Sequence, residues 1–251
     1  MKAGSAGGPH GLVGAGGEGG RDPFTLALDA STYVGTVAVL HGSSVVAESQ
    51  AVMRGELEER LMPAVAGTLR EAGCAVRDVA RVVCGAGPGS FTSLRIAAAV
   101  AKGLALGRSA AVRETPLYAV SSLALIVAGH VPPLGAGRYL ALLDALRGER
   151  YAALFEIRGD GCVCEVVRPS GGRIPATGID GACAQFDARA IGPLEVLRAE
   201  PHARGVARLL GPIVAVGPVV LDMWEPEYGR LAEAQRRWEA EHGRELPGAR
   251  T

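Results

Sequence analysis

Residues 82–107 read VVCGAGPGSFTSLRIAAAVAKGLALG, and the fold prediction for the chain begins at this stretch. It opens with an apolar run typical of a buried strand, which closely spaced glycines and one proline then interrupt. An alanine-rich helix is predicted to follow, capped by Ser90 or Thr92. Because this helix has so little polar surface, we expect it to be covered on more than one side. The predicted turn residues are Gly87, Pro88, Gly89, Ser90 and Thr92.

A strand, a glycine-rich turn and a capped helix admit two interpretations. The free amides of the helix N-terminus could bind an anion such as phosphate, or the segment could be an ordinary tight connection in an α/β unit. Ser90 is not favoured as a nucleophile, because the sequence around it lacks the second glycine of Gly-x-Ser-x-Gly and has no histidine nearby. A helix cap is the favoured role for this serine.

Composition disfavours several classes of function. The chain has 251 residues, 48% of them apolar, so it can bury a core as one or two domains. Its 26 basic and 26 acidic residues cancel, and a neutral chain is poorly suited to bind nucleic acid unaided. No apolar run reaches the roughly 20 residues that cross a bilayer, so no membrane contact is predicted.

The cysteines predict a reducing, cytoplasmic location. Their number is odd and no Cys-x-x-Cys pair occurs, which favours reduced thiols over a metal site. Two of them flank a single residue and would share a face on a strand. The five are Cys74, Cys84, Cys162, Cys164 and Cys183.

The chain divides into a predicted extension, two lobes and a tail. Residues 1–22 are mostly glycine and alanine and are predicted to be disordered. Residues 23–130 form the first lobe, with the element order β-β-β-α-β-α-β-α. A linker at 131–137 leads to a second lobe at 138–243, and residues 244–251 form a frayed tail.

The second lobe begins as the first does. Leu140-Ala141-Leu142-Leu143-Asp144 echoes Leu26-Ala27-Leu28-Asp29, and a predicted strand follows each aspartate at the same offset. This repeat predicts an α/β protein of two related lobes, the architecture of the actin, Hsp70 and sugar-kinase class with its ribonuclease-H-like lobes. The later predicted elements are a strand at Val163–Val167, a helix at Pro201–Leu210, strands at 214–216 and 219–221, and a helix at Leu231–Glu241.

Asp29 and Asp144 are the candidate cofactor-binding residues, and both end predicted strands. In phosphotransferases of the two-lobe class such aspartates organise metal and phosphate, whereas elsewhere they serve as turn residues. A late Gly-Gly pair for adenosine is missing, because Gly211 and Gly217 are each followed by proline, which lacks a backbone donor. We therefore predict no cofactor.

The central stretch also resembles a known family. Gly87–Thr92 (GPGSFT), Leu94-Arg95-Ile96 and the Ala101–Ala105 run (AKGLA) are similar to the signature of the TsaB (YeaZ) family, although Ser93 replaces a usual glycine. The resemblance implies an accessory subunit of the bacterial machinery that places threonylcarbamoyl on an adenosine next to the anticodon of tRNAs reading ANN codons.

The resemblance also implies that the chain is not an enzyme. The related catalytic transferase carries a His-x-x-x-His metal pair on the helix equivalent to 121–130, where this sequence begins SSLAL. No two of its five histidines lie at i, i+3 or i, i+4, so no metal site is predicted. The alternative is an active ATP-dependent phosphotransferase, or the metallopeptidase once inferred for relatives. A stand-alone homodimer is a further possibility.

The implied partners are the TsaD-like transferase, a TsaE-like ATPase subunit and a second copy of the chain, with tRNA reached only through the complex. Family members bind the transferase through two helices, equivalent to Glu56–Ala72 and Leu94–Leu106. Arg95 could anchor that interface or pair with a local carboxylate. Glutamate at Ala98, Ala101 or Ala105 should abolish association, unless the helix is buried within the monomer. The candidate interface residues are Leu57 (a histidine in relatives), Leu61, Val65, Phe91, Leu94, Arg95, Ala98, Ala101, Lys102 and Ala105.

Overall fold

The computed structural model describes residues 22–53, 60–107, 115–168, 172–228 and 241–243. Two sheets with flanking helices make up this part of the chain. The first-lobe elements are β1 (Phe24–Asp29), β2 (Val34–His41), β3 (Ser44–Val52), α1 (Leu61–Glu71), β4 (Val79–Gly85), α2 (Phe91–Leu106), β5 (Leu117–Val120) and α3 (Ser122–Ala128). The later elements are β6 (Gly137–Asp144), β7 (Glu149–Ile157), β8 (Val163–Val167), β9 (Arg173–Pro175), α4 (Ile179–Phe186), β10 (Ala188–Gly192), β11 (Leu197–Arg198) and α5 (Val206–Val216).

The first sheet has the strand order β3-β2-β1-β4-β5. β1 runs antiparallel to β2 and parallel to β4, and β4 runs parallel to β5. The central strands β1 and β4 are mostly apolar, as expected for strands that helices cover. α1 packs on β2 and β3, and α2 packs on β4 and β1, with the two helices in contact.

The second sheet repeats this order as β8-β7-β6-β10-β11, with β9 added against β7. β6 runs antiparallel to β7 and parallel to β10, as β1 does to β2 and β4. Asp29 and Asp144 end the equivalent strands β1 and β6. The predicted two-lobed α/β fold is therefore confirmed, whereas the lobe boundaries at 23–130 and 138–243 stay a proposal.

Helix α3 joins the two sheets through one core. All of its residues are buried, and they pack in a cluster with Tyr139 and Phe155 of the second sheet and Val83 of the first. A short helix that is apolar on every side requires such cover. None of the helices in the described part of the chain has the length and apolarity needed to cross a bilayer.

The last third of the chain differs from the sequence prediction. Residues 214–216, expected as a strand, are the end of α5, which contains Pro212. Residues 219–221 form no strand, although Val219 N donates to Leu117 O at 2.8 Å. The elements β9, α4, β10 and β11 were not predicted. Three predicted segments lie outside the described residues: residues 1–21 of the extension, most of the helix at 231–241, and the tail.

Residues 217–228, which we call the return segment, lead from α5 back to the first lobe. Val219, Leu221 and Trp224 pack against the core beneath α1 and α2. At its far end Glu227 N donates to Ala86 O at 2.7 Å. The return segment therefore reaches the glycine-rich turn that follows β4.

A buried histidine lies where the chain passes beneath the first sheet. His202 is 6% exposed, and its Nδ1 accepts a hydrogen bond from Arg204 N at 3.1 Å. Next to it, Ala203 N donates to Thr36 Oγ1 at 3.0 Å, and Arg204 pairs with Glu48 at 3.1 Å. Burial, and then the charge of Arg204, lower the pKa of His202 to about 4.

Acid is therefore expected to destabilise the fold through His202. The unfolded chain binds a proton at this histidine below about pH 6.5, but the folded chain does so only near pH 4, so stability falls as the pH falls between these values. The free energy of unfolding is expected to be roughly 3 kcal/mol lower at pH 4 than at pH 7. Urea unfolding at pH 7 and pH 4 measures it, with His202→Asn as control, since asparagine can still accept the amide but does not titrate. Equal losses of unfolding free energy in both proteins would show that His202 is not the source of the acid sensitivity.

Candidate functional site

The glycine-rich turn between β4 and α2 is packed against its own chain. An added Cβ at Gly85 would overlap Asp29 Oδ2, and one at Gly89 would overlap Ser31 O. At Gly87 the φ angle is +91°, and a Cβ there would overlap Glu227 O of the return segment. Close approach of a side chain at Gly85, and of another backbone segment at Gly87 and Gly89, thus requires glycine at all three positions, and Gly87 also has a positive φ.

The backbone groups of the turn have partners within the protein. Ser90 N donates to Ser31 O at 2.7 Å, and Gly87 N donates to Ser122 Oγ at 3.1 Å. Ser122 N in turn donates to Gly87 O at 2.8 Å. Because the amides of Gly87 and Ser90 are already bonded, these two groups favour the structural interpretation of the turn over anion binding.

The capping prediction needs a correction. Ser90 occupies the N-cap position of α2, but its side chain accepts no backbone amide there. Its Oγ instead lies 3.1 Å from Ser93 Oγ. Thr92 lies inside the first turn of α2 and is exposed, so it does not cap the helix.

Asp29 is the buried acid beneath the turn. It is fully buried and accepts hydrogen bonds from Ser31 N at 2.9 Å, Ser31 Oγ at 2.7 Å and Ser122 Oγ at 2.5 Å. Burial raises its pKa, and these hydrogen bonds offset part of that rise. Burial and the nearby Asp29 also raise the pKa of the Cys84 thiol. An ion could reach Asp29 only by displacing donors of the chain itself.

Asp144, the equivalent residue of the second lobe, lies in a different environment. It is exposed and pairs with Arg150 at 3.1 Å, while its Oδ1 also accepts from Leu146 N at 3.1 Å. The two candidate aspartates are thus not brought to a common site. Within the described ranges, no three His, Cys, Asp or Glu side chains are grouped so as to hold a metal ion.

Substituting Gly87 by alanine is expected to destabilise the protein by about 3 kcal/mol or more. The substitution strains a left-handed backbone and pushes the return segment off Ala86. Urea unfolding measures the loss, with Gly67→Ala in α1 as the matched control. An added Cβ at Gly67 meets nothing within 4 Å, and alanine there should be neutral or stabilising by up to about 1 kcal/mol. Equal stability of the two variants would refute the close packing of the turn.

Most candidate interface residues are buried within the monomer, which corrects the sequence prediction. The apolar stripe of α1 and the inner rows of α2 pack on the first sheet, because that sheet needs an apolar cover. Leu57 lies outside the described residues. The buried candidates are Leu61, Val65, Leu94, Ala98, Ala101 and Ala105.

The other three candidates form a stripe on α2 that borders the return segment. Phe91 is half-buried and its ring centroid lies 4.6 Å from that of Tyr228. The exposed Arg95 guanidinium lies 5.3 Å from the Phe91 ring, and Lys102 Nζ lies 5.8 Å from the Trp224 ring. Arg95 therefore contacts an aromatic ring, and within the described part of the chain it forms no ion pair with a carboxylate.

A different stripe of each helix points away from the sheet. Because α1 and α2 lie side by side on the same sheet, these two stripes form one surface, which we call the outward face. An added Cβ at Gly103 would meet nothing within 4 Å, so the face is open there. Sequence reasoning missed this row because its small residues Ala99 and Gly103 resemble the buried alanines of the neighbouring rows. The outward face consists of seven exposed residues, Met62, Ala66, Arg70, Thr92, Ala99, Gly103 and Leu106.

Comparisons with known proteins show which proteins the chain is similar to. A family model described as TsaD, tRNA N6-adenosine threonylcarbamoyltransferase, matches residues 50–167. The chain is 37% identical to the tRNA threonylcarbamoyladenosine biosynthesis protein TsaB of Escherichia coli, over 52% of this chain and 54% of that protein. It is 33% identical to TsaB of Bacillus subtilis, over 53% and 55% respectively. The chain thus spans about half the length of the curated relatives it matches.

A solved structure extends the likeness to the fold. YeaZ from Pseudomonas aeruginosa superposes with a TM-score of 0.60 at 29% identity, covering 82% of this chain and 99% of that one. A second P. aeruginosa structure, described as similar to peptidase YeaZ, gives 0.62 at 29% identity, over 83% and 100%. In its sequence, its GPGSFT turn and its repeated sheet order, the chain is thus similar to proteins of the TsaB (YeaZ) family.

Proposed function

We propose that this protein is a non-catalytic subunit of the cytoplasmic assembly that makes threonylcarbamoyladenosine next to the anticodon of tRNAs reading ANN codons. Its role is to bind and support the catalytic transferase subunit. The observation that carries the proposal is the outward face of α1 and α2, a solvent-exposed helical surface that includes Ala66, Ala99 and Gly103. The names of the relatives, which are threonylcarbamoyladenosine biosynthesis proteins, supply the pathway.

The residues argue against catalysis by this chain. The transferase to which the family is related carries its histidine pair on the helix equivalent to α3, but α3 here begins Ser122-Leu123-Ala124 and is buried throughout. Asp29 is surrounded by donors from the chain itself, and the turn amides of Gly87 and Ser90 are bonded internally. These hydrogen bonds join β1, the turn and α3 to one another, so a ligand could reach Asp29 or these two amides only by breaking them.

The outward face suits a helical partner. Small side chains let two helices approach closely, and Met62 and Leu106, which are 41% and 54% exposed, provide apolar area for burial. A second copy of the chain can use the same surface, so homodimer and heterodimer compete for it. The ATPase subunit joins the resulting complex, and tRNA is reached through the complex because the chain has no net charge.

Size-exclusion chromatography with light scattering tests the proposal on the full chain mixed with the transferase subunit of the same organism. We expect one peak containing both proteins in equal amounts, at micromolar concentration. Separate elution of the two proteins at concentrations well above micromolar would refute the proposal.

A further inference from the structure

A pair of thiols lies at one end of the second sheet, on the lobe opposite to α1 and α2. Cys162 closes the connection between β7 and β8, and Cys164 lies within β8. Their Sγ atoms are 3.4 Å apart. Both side chains are half-buried and neither is in a disulfide, whereas Cys74 and Cys84 are free thiols in the core.

The hairpin fixes the two thiols next to each other. Cys162 O accepts a hydrogen bond from Arg158 N at 3.0 Å, and Cys162 N donates to Asp160 Oδ1 at 2.9 Å. Cys164 pairs with Glu156 across the β7–β8 ladder. The backbone on both sides of the pair is therefore bonded into the hairpin, which keeps the sulfur atoms adjacent.

The spacing permits a disulfide. Two residues of extended chain span about 6.6–6.8 Å, which lies at the upper end of the Cα separations that disulfides bridge. The sulfur atoms must move about 1.4 Å closer to reach bonding distance, which side-chain rotation can supply. A closed metal site is a poorer fit, because it needs about four ligands and no third His, Cys, Asp or Glu joins the pair among the described residues.

We propose that Cys162 and Cys164 form a dithiol that a low-molecular-weight disulfide converts reversibly into an intramolecular disulfide. One protein thiolate first attacks the small disulfide, which forms a mixed disulfide and releases one small thiolate. The second protein thiolate then attacks the protein sulfur of that mixed disulfide and releases the other small thiolate. The protein loses two electrons and two protons, and the small disulfide is reduced to two thiols.

Closure of the pair is separate from the proposed function. Both cysteines lie on the second lobe, and the outward face belongs to the first. The hairpin tip does contact α5, because Arg208 Nη2 donates to Gly161 O at 2.9 Å. Oxidation is thus expected to change the local structure of the β7–β8 hairpin and its contact with α5. The affinity for the transferase subunit should stay unchanged.

Counting thiols with N-ethylmaleimide tests the inference on the full chain. The reduced protein, labelled after denaturation, should take five labels, one for each cysteine. After the folded protein is treated with glutathione disulfide it should take three, and a dithiol reductant should restore five. Peptide mapping should locate the bond between Cys162 and Cys164.

Two single substitutions test whether closure depends on this pair of cysteines. Cys164→Ser leaves one thiol of the pair, so the reaction should stop at a mixed disulfide that carries one glutathione. Cys183→Ser changes the other half-buried cysteine and should leave closure of the pair intact. Retention of five labels after oxidation, or glutathione attached to the wild-type pair without closure, would overturn the inference.

Discussion

Replacing Ala101 with glutamate is expected to unfold the protein. Ala101 is fully buried in the core between α2 and the first sheet, among Leu28, Val82 and Cys84. A carboxylate there has no partner and too little space, so the cost should exceed about 4 kcal/mol, a large part of the stability of a typical domain. Circular dichroism and urea unfolding measure the loss.

Ala99→Glu is the matched control for that substitution. Ala99 lies two residues away on the same helix but is exposed on the outward face. The same chemical change there should alter the free energy of unfolding by no more than about 0.5 kcal/mol. If Ala101→Glu stayed folded, or both variants unfolded, the orientation of α2 on the sheet would be wrong.

Ala99→Glu is expected to weaken binding of the transferase subunit by about 100-fold or more while the protein remains folded. A glutamate on the outward face would push apart closely packed helices and place an unpaired charge in a dry interface, at a cost of several kcal/mol. A loss of about 3 kcal/mol weakens binding roughly 100-fold, which isothermal titration calorimetry resolves.

Ala184→Glu provides the control for binding. Ala184 is an exposed alanine of α4 on the second lobe, so the added charge is the same but lies away from the outward face. Its affinity for the transferase subunit should equal that of the wild type. Unchanged affinity for Ala99→Glu, or an equal loss for both variants, would exclude the outward face as the interface.

Sequence patterns predicted much of the fold because strands, and the helices that pack on their sheet, need apolar residues at regular positions. The apolar runs ending at Asp29 and Asp144 marked two equivalent strands, and the order of elements in the first lobe followed from periodicity. The elements between residues 173 and 198 were harder to predict, because one strand has only two residues and the helix has only eight. Pro212 lies inside α5, where a proline normally argues against a helix.

The candidate interface could not be read from periodicity for a physical reason. A regular apolar stripe such as Leu61, Val65 and Leu69 indicates the face that packs on the sheet, and the structure buries all three. The row that faces solvent in α2 contains Ala99 and Gly103, which a pattern search cannot separate from the buried Ala97 and Ala101. Only the placement of α2 on the sheet distinguishes the two rows.

Transfer of threonylcarbamoyl to tRNA in a reconstituted reaction tests whether the chain is a non-catalytic subunit that supports the transferase. The wild-type chain, the transferase subunit and the ATPase subunit are combined with threonylcarbamoyl-adenylate and tRNA, and each protein is omitted in turn. We expect the chain alone to modify no tRNA. The transferase should need the chain for efficient turnover, which Ala99→Glu should fail to support. Modification of tRNA by the chain alone, or full turnover without it, would refute the role of non-catalytic subunit.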